Sequence, residues 1–131
     1  KYSSIGEMSG FAKQYADSLA QVSGKVAVIA DRDRYIAVSG GMKTLLNKHV
    51  SKDVERKMEN REQVLAKKNE KSFVMLAEDE NDVEMQVMAP IISEGDVVGA
   101  VFLLASDESI GETEKKLVLS AASFLGKQME L

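Results

Sequence analysis

The feature that most restricts how this chain can fold is a pair of long apolar runs, Val83 to Ser93 and Val97 to Ala105, separated only by Glu94-Gly95-Asp96. Two such runs around a short Gly-containing turn predict a β-hairpin. The second run, Val97-Val98-Gly99-Ala100-Val101-Phe102-Leu103-Leu104-Ala105, has no polar alternation and is rich in β-branched residues. Both faces of its strand therefore need protein cover. The first run alternates as far as Val87 and then stops alternating, which predicts a strand leaving the edge of a sheet and entering its middle. Pro90 then belongs at a bulge or bend.

A chain of 131 residues, 44% of them hydrophobic and 29% charged, has enough apolar content for one core, so residues 1–131 are expected to form a single domain. There is no cysteine, which excludes disulfides, thiol catalysis, thiolate metal sites and a thioether-linked chromophore. The net charge is -4, with Lys and Arg scattered among carboxylates, so the footprint of a nucleic-acid binder is missing from this segment. No apolar run reaches membrane-spanning length and no basic leader precedes one, which predicts an intracellular, cytoplasmic chain with no membrane partner. The first residue is Lys1 rather than Met, as expected of a fragment whose other part has its own task.

The tetrapeptide Ser-Ile-Gly-Glu occurs twice, at Ser4 to Glu7 and at Ser109 to Glu112. Its Ser-x-x-Glu spacing lets two side chains satisfy exposed helix-start amides reciprocally, so each copy predicts a helix opening. After the first copy, Ile5, Met8, Ala12, Tyr15, Leu19 and Val22 form a heptad-like stripe that Phe11 and Ala16 widen. After the second, Leu117 to Leu125 is apolar almost all round, more than a helix lying on a sheet requires. Between them, Val26 to Asp31 and Tyr35 to Ser39 read as a tight hairpin across Asp31-Arg32-Asp33-Arg34. Gly40-Gly41 breaks the pattern and a short helical piece fits Met42 to Asn47. Ser51 or Asp53 then caps a longer helix through Val54, Met58 and Leu65. Ser72 to Ala77 predicts a further strand, set off from the long hairpin by the acidic loop Glu78 to Asp82.

This order predicts an α+β fold: a central antiparallel sheet of about five strands, the N- and C-terminal helices on one face, short helices and loops on the other. The loop-roofed side is where a small-molecule cavity would form. Its candidate lining is Val38, Ser39, Val54, Met58, Phe73, Met75 and Met88, with Ser39, Arg32 and Arg56 as the nearest polar donors. Met58, Met75, Met85 and Met88 border that side, and flexible thioethers suit either an irregular ligand or gap-filling in a core. Tyr35 and Phe73 could stack on a ligand or serve as core. The candidate contacts with further copies of the chain are Met8, Ala12, Tyr15 and Leu19 on the first helix. On the last helix they are Val118, Leu119, Ala122, Phe124, Leu125 and Met129. The alternative is that both helices pack only within one monomer, at odds with the rarity of large exposed apolar patches on soluble monomers.

Catalytic and metal chemistry find little support. His49 is the one histidine and has no nucleophile motif around it, so a small hydrolase or transferase would lack an oriented base. With no Cys and one His, a haem or bilin sensor is left with weak axial ligation only. The acidic run Glu78 to Glu84 lacks the Gly turn and terminal Glu of an EF-hand and reads as a solvated tip. No catalytic residue, cofactor or metal ligand is expected, and the chain is not expected to be an enzyme.

The strand, turn and strand carrying Pro90, Gly95 and Gly99, followed by a capped helix, resemble the C-terminal half of a GAF domain, a small-ligand sensor fold. Asn47-Lys48 with Phe73 and Glu78 is similar to a scattered motif of cyclic-nucleotide-binding GAF domains. Ala77 stands where that motif wants Asp, so the likeness reads as chance. Four longer strings, Phe11 to Leu19, Asp31 to Gly40, Leu46 to Lys48 and Phe124 to Glu130, closely resemble the stage V sporulation protein T family of transcription regulators. The likeness runs over the whole chain. It implies a GAF-like domain that follows an N-terminal swapped-hairpin DNA-binding domain of the transition-state-regulator type. That domain is absent from this chain, and DNA is a partner only through it. The resemblance further implies a forespore regulator, activating or repressing, whose GAF-like domains associate into a tetramer through their helices. A bound small molecule would act by favouring one packing of the middle helices over another. A purely structural tetramerisation module is the alternative.

Overall fold

The computed structural model describes residues 5–78 and 82–130, with side chains from Met8 onward. Helix α1 (Ile5–Ser23) leads into β1 (Val26–Asp31) and β2 (Tyr35–Ser39). A short 3-10 turn (Lys43–Leu45), α2 (Lys52–Glu59) and β3 (Val64–Lys67) follow. The chain closes with β4 (Met85–Ser93), β5 (Asp96–Ala105) and α3 (Glu112–Gln128). The sheet is antiparallel throughout in the order β2-β1-β5-β4-β3, with β5 at its centre, as its uninterrupted apolar run requires. Among the described residues no helix is long and apolar enough to cross a membrane.

Turn chemistry sets both hairpins. Asp31 Oδ1 accepts from the backbone N–H groups of Asp33 at 2.7 Å and Arg34 at 2.8 Å, an Asx turn that folds β1 onto β2. At the long hairpin Ser93 pairs with Asp96, so the loop is only Glu94-Gly95, and both residues have positive φ (51° and 87°). That is the left-handed turn whose twist matches antiparallel strands.

Side chains alternate across the sheet into two cores. Val101 and Leu103 of β5 pack with Met8, Ala12, Ala16 and Leu19 of α1 and with Val118, Ala121 and Leu125 of α3. Ala100, Phe102 and Leu104 face the other way and join Tyr35, Leu45, Val54, Met58 and Met88. The two terminal helices thus share one face, and α2 with its neighbouring loops covers the other. Met85, expected on the loop-covered side, packs on the helical side instead, because the pleat at Met85 points there. A Cβ on Gly126 of α3 would be driven into the carbonyl oxygen of Ile92, so α3 rests on β4 backbone to backbone at that point.

Several local expectations are corrected. The first Ser4 to Glu7 box falls partly outside the described residues, although α1 does begin at Ile5. Helix α3 opens two residues later than Ser109: Gly111 is the cap, and Glu114 Oε1 accepts from its N–H at 2.8 Å. Ser109 is held outside the helix, where its Oγ donates to Asp107 Oδ1 and accepts from Lys25 Nζ. Ser51 does cap α2, with Oγ accepting from the Val54 N–H at 3.2 Å, but the helix stops at Glu59 rather than continuing to Leu65. Arg61 there takes φ 57°, and the N–H groups of Arg61 and Glu62 reach back to the carbonyls of Met58 and Lys57, both at 3.0 Å. This is a Schellman stop built without glycine.

Leu65 consequently lies in β3, a strand that pairs with Met85 to Met88. Residues 72–77, expected as a strand, belong to no ladder. The edge-to-middle expectation for β4 is reversed too. Its first half lies between β3 and β5, while Pro90 to Ser93 extend beyond the end of β3. Pro90 costs no ladder bond in that open stretch, and the bulge falls just after it, between Ile91 and Ile92.

Candidate functional site

Two places on the fold can carry function, one on each side of the sheet. On the helical side, Met8, Ala12, Leu19, Val118, Ala122 and Leu125 are turned inward and are buried in the chain's own core. Tyr15, Leu119 and Met129 are half-buried, and Phe124 stands 43% exposed. Tyr15 and Phe124 meet with ring centroids 5.3 Å apart, tilted by 46°, which joins α1 to α3 on their outer side. Phe11 (40% exposed) and Val22 (72% exposed) extend the same helix at either end of Tyr15. Between the two helices runs a groove of about 330 Å³ lined by Tyr15, Ser18, Leu19, Val22, Leu117 and Ser120. The sequence pattern places Phe11 and Val22 in the α1 stripe without marking them as contacts, and their exposure is what distinguishes them.

On the other side, Val54, Met58 and Met88 come together in one buried cluster with Tyr35, Val74, Leu76 and Phe102. Val38 and Phe73 lie on its margin, half-buried. Ser39 and Met75 are half-buried and are not among the side chains of that cluster. Of the polar donors, Arg32 sits exposed in the β1–β2 turn, and Arg56 is paired with Asp53 at 3.2 Å. A cleft of about 170 Å³ opens at the outer edge of α2, between Asp53, Arg56, Lys57, Asn60, Glu62, Lys71, Phe73 and Val74. Across it Lys57 Nζ holds Glu62 Oε1 at 2.8 Å, and that hydrogen bond keeps the Glu62 carboxyl below its ordinary pKa.

The residue that sequence reading missed is Gln86. It is fully buried in the middle of β4, and its amide clasps one peptide unit: Oε1 accepts from the Val74 N–H and Nε2 donates to the Val74 carbonyl, both at 2.8 Å. A polar residue within an apolar strand run was the available signal. His49 is exposed, with Nδ1 3.5 Å from Asp33 Oδ1. Among the described residues no group of three or more His, Asp or Glu is placed to hold a metal ion. Of the acidic run, residues 79–81 lie outside the described residues, and Glu84 faces Lys68 at 3.9 Å.

Residues 7–130 match the protein family described as stage V sporulation protein T C-terminal, transcription factor. The chain belongs to that family. Stage V sporulation protein T of Bacillus subtilis (strain 168) is 44% identical over 131 residues, which cover 99% of this chain and 73% of the relative. Among solved structures, the GAF domain of an Acinetobacter phosphoenolpyruvate-protein phosphotransferase is similar, with a TM-score of 0.77 at 12% identity over 93% of this chain and 81% of that one. The corresponding GAF domain from Coxiella burnetii has a TM-score of 0.73 at 17% identity, over 92% and 80% of the two chains. Free methionine-R-sulfoxide reductase from Neisseria meningitidis, solved with its substrate, has a TM-score of 0.71 at 12% identity, over 93% and 77%. At such identities the likeness is one of architecture: in this sporulation family the transcription-factor domain has an α+β GAF-like fold.

Proposed function

We propose that this chain is the regulatory and oligomerisation domain of a cytoplasmic sporulation regulator, not an enzyme, and that it joins DNA-binding arms carried by a separate N-terminal domain. The observation that carries this is the outer face of α1 and α3, where half-buried Tyr15 pairs with exposed Phe124 beside a groove. Exposed aromatic clusters of this kind are costly to leave in water and are typical anchors of subunit contacts. Family membership supports the regulatory role. The occupant of the face is a second copy, since a stripe on two neighbouring helices can pack on itself about a two-fold axis. Tyr15 and Phe124 are the central contacts, with Leu119 and Met129 further round α3 at the margin, where Leu119 faces β4, while Met8, Ala12, Leu19, Val118, Ala122 and Leu125 support them from beneath. The α2-side cluster around Val38, Val54, Met58, Phe73 and Met88, with Ser39 and Met75 beside it, is the place for a sensed small molecule.

Phe124→Asp tests the seam. Its ring is nearly half exposed in the monomer, so the monomer fold tolerates the change while a seam does not. Light scattering at micromolar concentration is expected to show a larger species for the parent and single, still folded chains for the variant, with a melting temperature lowered by the lost association. A parent that already sediments as single chains refutes the assignment.

A further inference from the structure

Residues 72–78 lie over the α2-side core without joining the sheet, and side chains hold them there. Gln86 of β4 clasps both polar groups of Val74 at 2.8 Å. Ser51, the α2 cap, donates from Oγ to the Met75 carbonyl at 2.7 Å. Tyr35 of β2 donates from Oη to the Leu76 carbonyl at 2.6 Å. Three consecutive residues are thus held by three separate elements. Between these clamps Val74 and Leu76 are buried in the same cluster as Val54, Met58, Met88 and Phe102. A strand in a ladder comes away only when its neighbours lose their own bonds. A segment held by side-chain clamps can come away while every strand stays paired.

We propose that residues 72–78 form a strap that lifts as a unit from the intact sheet and uncovers an apolar chamber able to take a small molecule. Lifting leaves Gln86 with an adjacent donor and acceptor, and Tyr35 with a hydroxyl donor, at the wall of a space vacated by Val74 and Leu76. The ligand chemistry that fits is that of the strap itself: a compact aliphatic group carrying an amide-like donor and acceptor. Ser51 links the event to α2, because the same hydroxyl accepts from the Val54 N–H. The opening is independent of any subunit contact; its use by a ligand rests on the sensing half of the proposed function.

Native-state hydrogen exchange on the whole chain at rising, sub-denaturing urea tests this. The Val74 amide and its neighbours through Ala77 are expected to exchange faster than the β1 and β5 amides, and with a weaker dependence on urea, in proportion to the smaller surface that lifting the strap exposes. Tyr35→Phe, which removes one strap hydrogen bond, is expected to speed strap exchange by about tenfold relative to β5, and Gln86→Ala, which removes two, by more. N-acetyl-leucinamide at millimolar concentration, as the probe, is expected to shift the Gln86 side-chain amide resonances and to raise strap exchange further. Strap amides that exchange only with the β5 amides, through global unfolding, overturn the strap. Strap opening with no probe-induced shift at Gln86 overturns the chamber chemistry while leaving the subunit seam untouched.

Discussion

Replacing Gln86 by glutamate is expected to make the stability of this domain depend on pH in a way the parent's does not. The side chain is fully buried, and its two bonds to Val74 are both 2.8 Å long. A carboxylate of the same shape still accepts from the Val74 N–H, but its second oxygen then faces the Val74 carbonyl, acceptor against acceptor. That loses one bond, worth about 1–3 kcal/mol when a buried group is left unmet, and adds the cost of burying a charge. The protonated acid restores both bonds, because its O–H donates to the carbonyl and its other oxygen accepts from the N–H. Burial and the facing carbonyl therefore raise the folded-state pKa above the unfolded value of about 4.3. Between those two values the folded state holds the extra proton, so stability falls as pH rises, by about 1.4 kcal/mol per unit. At pH 7 the penalty approaches about 4 kcal/mol if the group stays protonated in the fold. Below pH of about 4 the variant returns to within about 1 kcal/mol of the parent. Urea unfolding of both proteins from pH 4 to pH 7.5 measures this, and taking the difference cancels the parent's own titrations. A difference that is flat with pH, or that grows on acidification, refutes the clasp.

Leu125→Lys is expected to unfold the domain where Phe124→Asp does not: Leu125 is buried between α3 and the sheet, and an unpaired charge there costs several kcal/mol, read by circular dichroism. Gly126→Ala forces α3 away from the Ile92 carbonyl and is expected to cost about 1–3 kcal/mol in urea unfolding, although alanine is the better helix former. Glu94→Asn places a residue at ease with φ 51° at the head of the long hairpin and is expected to gain about 0.5 kcal/mol. His49→Ala, at an exposed site, is expected to change stability by less than about 0.5 kcal/mol and to leave the subunit count unchanged.

The sheet was legible in the sequence wherever burial and turn chemistry agreed. Asp31 announces the first hairpin and Gly95 the second, and the unbroken run into Leu104 can only be a covered central strand. The α2 to β3 boundary was not legible, because Arg61 takes a backbone conformation usually marked by glycine and so hides the helix stop. Residues 72–77 read as a strand for a sound reason: Val74 and Leu76 point inward at alternate positions. Periodicity reports burial, however, and cannot tell a partner strand from a glutamine that imitates one. The same limit applies to the helical face. The stripe through Met8, Ala12 and Leu19 marks what is apolar, and only the packing separates those side chains from Tyr15 and Phe124.

Because successive side chains of β5 enter different cores, the sheet divides the molecule like a party wall, with separate furniture on either side. The two sides meet round the end of the wall. At the Glu94-Gly95 corner, Arg61 beyond α2 grips the Gly95 carbonyl at 2.6 Å, and Glu130 beyond α3 reaches the Glu94 N–H at 3.5 Å. That two-residue corner is touched from both tenancies at once.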